Sequence, residues 1–345
     1  MRIILNDDAG HYNGDSGNRP LKKKKMFQAY HQSIRTADRR ITSTESKLVW
    51  TRAGLIEYID YGEGPAILLS HGILGGSDQA FAISHSYLGS KFRIIAVSRF
   101  GYLRSPLPAD SSPAHQADLY AALLDKLGIN KVVMFGFSAG SPSSLQFALR
   151  YPERCAVLVL LSPAAGEYKV PSATVKFIMK TFFSSDFLFW GATRYFRSWL
   201  LKMAGVPSLV QCRLKQSQQV WLSSLIQKFF PIRKRVKGIM NDICVSNPDL
   251  SKNYPVQNII APTLIIHAVD DPIASFNNTM LMSWKIPNVQ FVQIDMGGHL
   301  LMGNHTKVRQ WINSFIKGNF SLKEDMSAEE ANHIDKNEYD ISYHY

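Results

Sequence analysis

Along this chain two kinds of apolar pattern take turns. Short uninterrupted runs read as strands buried on both faces: "PAILLSHG" (65–72), "FRIIAVS" (92–98), "NKVVMFG" (130–136) and "CAVLVLLS" (155–162). "APTLIIHAV" (261–269) and "VQFVQID" (289–295) are two more. Between them, apolar residues recur every three or four positions. In "SSPAHQADLYAALLDKLG", Ala117, Tyr120, Ala121, Leu124 and Leu127 share one helical face, which Gly128 closes. In "HTKVRQWINSFIKG", Val308, Trp311, Ile312 and Phe315 do the same. Ahead of all these, "SKLVWTRAG" and "LIEYIDYGEG" read as a hairpin turning near Ala53 and Gly54. Strands alternating with helices predict a mainly parallel sheet with right-handed crossovers.

Three stretches fall outside the alternation. Residues 163–255 are too long for a crossover and hold nine aromatic residues between Phe177 and Trp199. They are expected to form a helical lid over the carboxyl ends of the strands. Residues 1–45 include "LKKKKMFQAYHQSIRTADRR", in which Met26, Phe27, Tyr30 and Ile34 fall near helical spacing. A mobile, solvated basic arm is expected there. Residues 318–345 are polar and acidic and are expected to be a frayed tail. That leaves 46–162 and 256–317 as the core.

Charge changes the picture in one place. The net charge is +12, yet residues 1–44 (nine Lys and Arg, four Asp and Glu) and 318–345 (two and seven) cancel. The excess sits in residues 166–255, with fourteen Lys and Arg against four Asp and Glu. Such a balance fits an anionic surface or substrate, or solubility alone. No nucleic-acid partner is expected, while peripheral contact with an anionic membrane surface is compatible with the pattern. Composition is that of a soluble globular protein, 46% apolar and 19% charged. No stretch approaches the roughly 18 apolar residues of a spanning helix. "MRIIL" is too short for the apolar part of a signal peptide. Cys155, Cys212 and Cys244 have neither disulfide nor zinc spacing, so free thiols and a cytoplasmic location are expected.

The chemistry concentrates at "MFGFSAGS" (134–141). An apolar strand runs into Gly136-Phe137-Ser138-Ala139-Gly140, and a helical pattern with Pro142 in its first turn follows. Strand, sharp turn and helix around G-x-S-x-G describe a nucleophile elbow, which lifts the Ser138 hydroxyl out at a helix N-terminus. A serine hydroxyl is a weak nucleophile at neutral pH, and it needs a base that is itself oriented by a carboxylate.

These residues, with others along the chain, resemble the α/β-hydrolase family over roughly 48–317. "LLSHGILGGS" is similar to its His-Gly segment, "VSRFGYLRSP" to its arginine-glycine turn, "GFSAG" to its elbow and "YPERCAVLVLLSP" to the helix end and strand that follow. "IIHAVDDPIAS" is similar to its acid turn and "DMGGHL" to its histidine turn. The resemblance implies an α/β-hydrolase fold, with a mostly parallel eight-stranded sheet flanked by helices and a lid inserted after strand 6. It implies a triad in the chain order Ser138, Asp271, His299. The family's spacing, counted from Ala268, selects Asp271, with the adjacent Asp270 as the fallback. It assigns the oxyanion hole to the backbone N–H groups of Ile73 and Ala139, and a structural role to His71. His267 reads as a packed core histidine and His305 as a surface residue.

No dinucleotide-binding G-x-G-x-x-G, phosphate-binding G-x-x-x-x-G-K-[ST] or zinc-binding H-E-x-x-H occurs, so neither metal nor cofactor is expected. The expected reaction is hydrolysis of a small or medium apolar carboxylic ester through an acyl-enzyme. Two alternatives stay open. One is other acyl chemistry on the same triad, namely C–C bond hydrolysis, perhydrolase or haloperoxidase-like activity, or acyl transfer. The other is a ligand-binding protein that keeps the fold without turnover.

Overall fold

The computed structural model describes residues 18–320, with side chains from Lys24 onward. Of the acidic tail, residues 321–345 lie outside the described residues, as do the first seventeen residues of the arm, and the last helix runs on into the tail to Asn319. Eight strands form one sheet: β1 Lys47–Thr51, β2 Gly54–Tyr61, β3 Ala66–Ser70, β4 Arg93–Ser98, β5 Val132–Phe137, β6 Cys155–Leu161, β7 Thr263–Ala268 and β8 Val289–Ile294. Their order is β1-β2-β4-β3-β5-β6-β7-β8. β2 runs antiparallel to both β1 and β4, and every other pairing is parallel.

The uninterrupted apolar runs have a direct cause, because alternate residues of each strand face opposite layers and both layers are covered. In β3, Ile67 and Leu69 face one cluster and Leu68 the other, all with no exposure. The first cluster takes in Ile83 and Tyr87 of α2 (Ser77–Tyr87), and Val308 and Ile312 of the last helix. The second takes in Tyr120 and Leu124 of α3 (Pro113–Lys126), and Leu145 and Phe147 of α4 (Ser141–Arg150).

Before the sheet comes α1 (Asn18–Ser43). For residues 24–43 the expectation of a solvated arm is corrected. Ala37 is buried, and Met26, Tyr30 and Ile34 pack against the first cluster. Arg40 donates to the carbonyls of Gln227 at 2.9 Å and Phe230 at 2.6 Å. The apolar stripe finds its partner in the chain that joins β6 to β7, so the helix does not stand free.

That joining chain is helical: α5 (Ala173–Ser184), α6 (Asp186–Tyr195), α7 (Arg197–Met203), α8 (Ser208–Cys212), α9 (Gln216–Gln227) and α10 (Val236–Asn241). Its Phe189, Leu200, Leu222 and Phe229 belong to the first cluster. After β7 come α11 (Phe276–Ser283) and, beyond β8, α12 (His305–Asn319). Among the described residues no helix is long and apolar enough to cross a membrane. Cys155 is buried, which pushes its thiol up to about 12, Cys212 is exposed and Cys244 lies between; all three are free thiols.

Candidate active site

Ser138 leaves β5 at a φ of +52°, a left-handed conformation that a side chain adopts at a cost of order 1–3 kcal/mol. Two glycines make the corner sterically possible. A Cβ on Gly140 would lie 2.2 Å from the carbonyl oxygen of Ser70, and one on Gly136 would lie 2.6 Å from Oγ of Ser144. The turn thus closes against the end of β3 and against α4, with Pro142 at the start of that helix. Ser138 is only 6% exposed.

The hydroxyl meets one imidazole. Ser138 Oγ lies 2.7 Å from Nε2 of His299, and Nδ1 of His299 lies 2.7 Å from Oδ2 of Asp271. Oδ1 of Asp271 accepts from the N–H groups of Ile273 at 2.8 Å and Ala274 at 3.1 Å. Burial alone would raise the Asp271 carboxyl, but His299, a hydrogen bond from His267 and the Ile273 N–H outweigh it and hold the group well below the usual carboxylate range. Asp270 has a different task. Its Oδ1 accepts from the N–H groups of Gly297 at 2.9 Å and Gly298 at 2.7 Å, pinning the loop that carries His299.

Ile73 lies in the loop after β3 and lines the same cavity as Ser138 and His299. A Cβ on Gly72 would lie 3.1 Å from Cβ of Ser138, so this loop runs directly against the elbow. Ala139 is the next residue in the elbow and is buried. The cavity is narrow, about 60 Å³, and mainly apolar, with Leu74, Ile83, Phe137, Met203, Trp221 and Phe229 among its lining.

Three histidines qualify the sequence reading. His71 is fully buried, its Nε2 accepting from the Arg99 N–H at 3.1 Å and its Nδ1 donating to the Gly72 carbonyl at 2.7 Å. Burial and the nearby Arg99 guanidinium drive it well below the usual imidazole range. His305, expected at the surface, is half-buried instead: its Nε2 lies 3.1 Å from the Leu300 carbonyl, and its ring packs edge-on against Trp221. His267 is buried as expected, but it also reaches Asp271, with Nε2 3.0 Å from Oδ2. The sequence reading missed that contact. The signal for it is the four-residue step from a strand-end histidine to the acid.

Residues of the β6–β7 insertion also shape the site. The carbonyl of Gly205, just after α7, accepts the His299 N–H at 2.8 Å. Arg235 is fully buried, donates to the carbonyl of Gly75 and pairs with Asp78 at 2.8 Å, which fastens the insertion to the loop carrying Ile73. Among the described residues, no group of three His, Cys, Asp or Glu side chains is placed to hold a metal ion.

Known proteins are similar to this chain in sequence and in fold. A poly(3-hydroxyalkanoate) depolymerase of Ectopseudomonas oleovorans is 29% identical over 199 residues, 56% of this chain and 65% of that protein. The uncharacterized hydrolase YcgS of Bacillus subtilis is 36% identical over 121 residues, 35% of this chain and 42% of that protein. This chain therefore spans less than two thirds of the length of either relative. An alpha/beta hydrolase fold protein from Nakamurella multipartita superposes with a TM-score of 0.65 at 23% identity, over 79% of this chain and 99% of that one, a likeness of fold. A family model described as alpha/beta hydrolase fold matches residues 65–306, most of the sequence, and the chain belongs to that family.

Proposed function

We propose that the protein is a serine hydrolase that cleaves a small or medium apolar carboxylic ester. The observation that carries this reading is the unbroken chain from Ser138 through His299 to Asp271, both links at 2.7 Å, opening onto an apolar cavity. Ser138 Oγ attacks the ester carbonyl carbon while Nε2 of His299 takes its proton. Negative charge gathers on the carbonyl oxygen, where the N–H groups of Ile73 and Ala139 receive it; each such donor is worth about 3 kcal/mol. The C–O bond then breaks, and His299 returns the proton to the departing alcohol. Water attacks the acyl-enzyme with His299 again as base, releasing the acid and restoring Ser138. Asp271 keeps His299 in the tautomer that presents a bare Nε2 and steadies the imidazolium.

The family and the poly(3-hydroxyalkanoate) depolymerase among the relatives support a hydrolase. The narrow cavity favours short acyl groups, and residues 163–255 act as the lid that closes it. The test is a fluorophosphonate adduct mapped by mass spectrometry, followed by turnover of p-nitrophenyl esters of rising chain length. A Ser138 adduct and a preference for short chains are expected, and Ser138→Ala should lower kcat by about 10⁴-fold or more. An unlabelled Ser138 in the folded protein would sink the proposal. Labelling without turnover of any ester would move it to another acyl chemistry.

A further inference from the structure

Charge is sorted across the β6–β7 insertion. Residues 166–255 contain four acids, and three of them are buried: Asp186, Asp242 and Asp249, at 4%, 0% and 8% exposure. Each is spoken for, Asp186 by Arg233, Asp242 by Arg99 and Tyr102, and Asp249 by Tyr254. Glu167 alone of the four is exposed. The cations are distributed the other way, with Arg194, Arg197, Lys202, Arg213 and Lys215 all exposed. The outer face of the insertion is therefore cationic with almost nothing to balance it.

Apolar side chains are exposed in the same insertion. Phe196, Trp199 and Met203 are 64%, 52% and 61% exposed. Phe196 immediately precedes α7, and spacings of three and four residues put the three on one stripe of that helix. Leu200 and Leu201, further round, are buried. Isolated exposed apolar residues are ordinary, whereas a contiguous stripe rimmed by cations marks a contact surface. The stripe also leads to the site. Met203 and Ala204 line the Ser138 cavity, and Gly205 holds the His299 N–H.

We propose that α7 and its cationic surroundings dock the protein on an anionic lipid surface, with Phe196, Trp199 and Met203 in the interfacial layer. A second copy of the chain would bring one cationic face against another. An acidic protein would answer the charge and leave the apolar stripe unexplained. An anionic bilayer answers both, since amphipathic helices seat aromatic side chains at the headgroup boundary beside Lys and Arg. An apolar ester leaving that surface would enter beside Ser138. This last step rests on the catalytic reading above, and the docking does not.

The test is co-sedimentation of the full chain with vesicles. With phosphatidylcholine and phosphatidylserine together, binding is expected at low salt and should weaken as salt rises. Phosphatidylcholine alone should retain little protein. F196S/W199S should bind the mixed vesicles about tenfold or more weakly. R194Q/K202Q should lose about fivefold for each charge removed. Folding is checked by the unfolding midpoint, and the site by fluorophosphonate labelling without vesicles. If the wild type binds vesicles but Ser138 never labels, the catalytic reading fails and the docking stands. Absence of wild-type binding to the mixed vesicles overturns the docking. So does unchanged binding by the variants, with R194Q/K202Q decisive should F196S/W199S misfold. A stable dimer that F196S/W199S converts to monomer would give the stripe to a second copy instead.

Discussion

Oδ2 of Asp271 serves two imidazoles, accepting from Nδ1 of His299 at 2.7 Å and from Nε2 of His267 at 3.0 Å. His267 is fully buried, with Phe276 edge-on to its ring and the Ala274 carbonyl 3.2 Å from the same Nε2. The other ionisable groups nearby are Asp270, bound to the Gly297 and Gly298 N–H groups, and Tyr168, whose hydroxyl is pushed up to about 12 by burial and the Asp271 charge. A second donor on one carboxylate oxygen draws charge away from His299. Replacing His267 by Phe removes that donor, so Asp271 then stabilises the His299 imidazolium more strongly. Without that hydrogen bond the Asp271 carboxyl rises from its depressed position. The expected outcome is a pH profile of kcat/KM that departs from that of the wild type, with kcat changed less than about tenfold, because Ser138 and His299 keep their contact. Asp271→Asn, by contrast, should lower kcat by about 10⁴-fold through the wrong tautomer. A His267→Phe profile lying on the wild-type curve would reduce His267 to a packing residue.

At the scale of elements, the turn after α7 is where the insertion meets the loop that carries His299. Gly205 has a φ of +81°, and a Cβ there would lie 2.2 Å from Cβ of His299 and 2.9 Å from Cδ1 of Ile273. Gly205→Ala should push His299 off Ser138, and a misplacement of about 1 Å costs about 10²-fold in rate. Steady-state kinetics should show that loss in kcat, and a urea titration a loss of about 1–3 kcal/mol from overpacking. Wild-type kcat in that variant would mean the insertion yields freely at this turn. Gly205 is invisible in the sequence, because its partner lies far along the chain and no periodicity links them. The strands were legible for the opposite reason: each is a continuous apolar run whose two faces are both covered, as Ile67, Leu68 and Leu69 show. The elbow was legible because its small residues are adjacent in the chain. α1 was misread because its lysines suggested solvent, while Met26, Tyr30, Ile34 and Ala37 bury themselves only against the folded remainder.

Across the whole molecule, buried charge ties the insertion to the sheet. Arg99, just past β4, forms a two-pronged pair with Asp242 at 2.6 Å on both prongs, and the Tyr102 hydroxyl donates to the same carboxylate at 2.5 Å. Arg99 and Asp242 are 3% and 0% exposed. Burial alone would lower the guanidinium, but Asp242 outweighs it and raises the group above its ordinary range. Bringing two ions out of water offsets most of what their attraction returns, so the pair is poorly described as a net source of stability. Its main effect is on geometry: it holds the insertion beside the loop whose N–H binds His71, and so beside the cavity. Removing one ion and removing both should therefore differ sharply. Arg99→Met takes the cation from the buried Asp242, leaving it, among the described residues, the Tyr102 hydroxyl, and should lower the free energy of unfolding by about 3–5 kcal/mol. R99M/D242L leaves no orphaned charge and should recover most of that loss. Urea titrations of the two variants and of D242L decide the matter. If the double variant is no more stable than R99M, the pair is a net stabiliser after all. If it recovers stability yet loses Ser138 labelling by a fluorophosphonate, the pair acts by fixing where the insertion sits over Ser138.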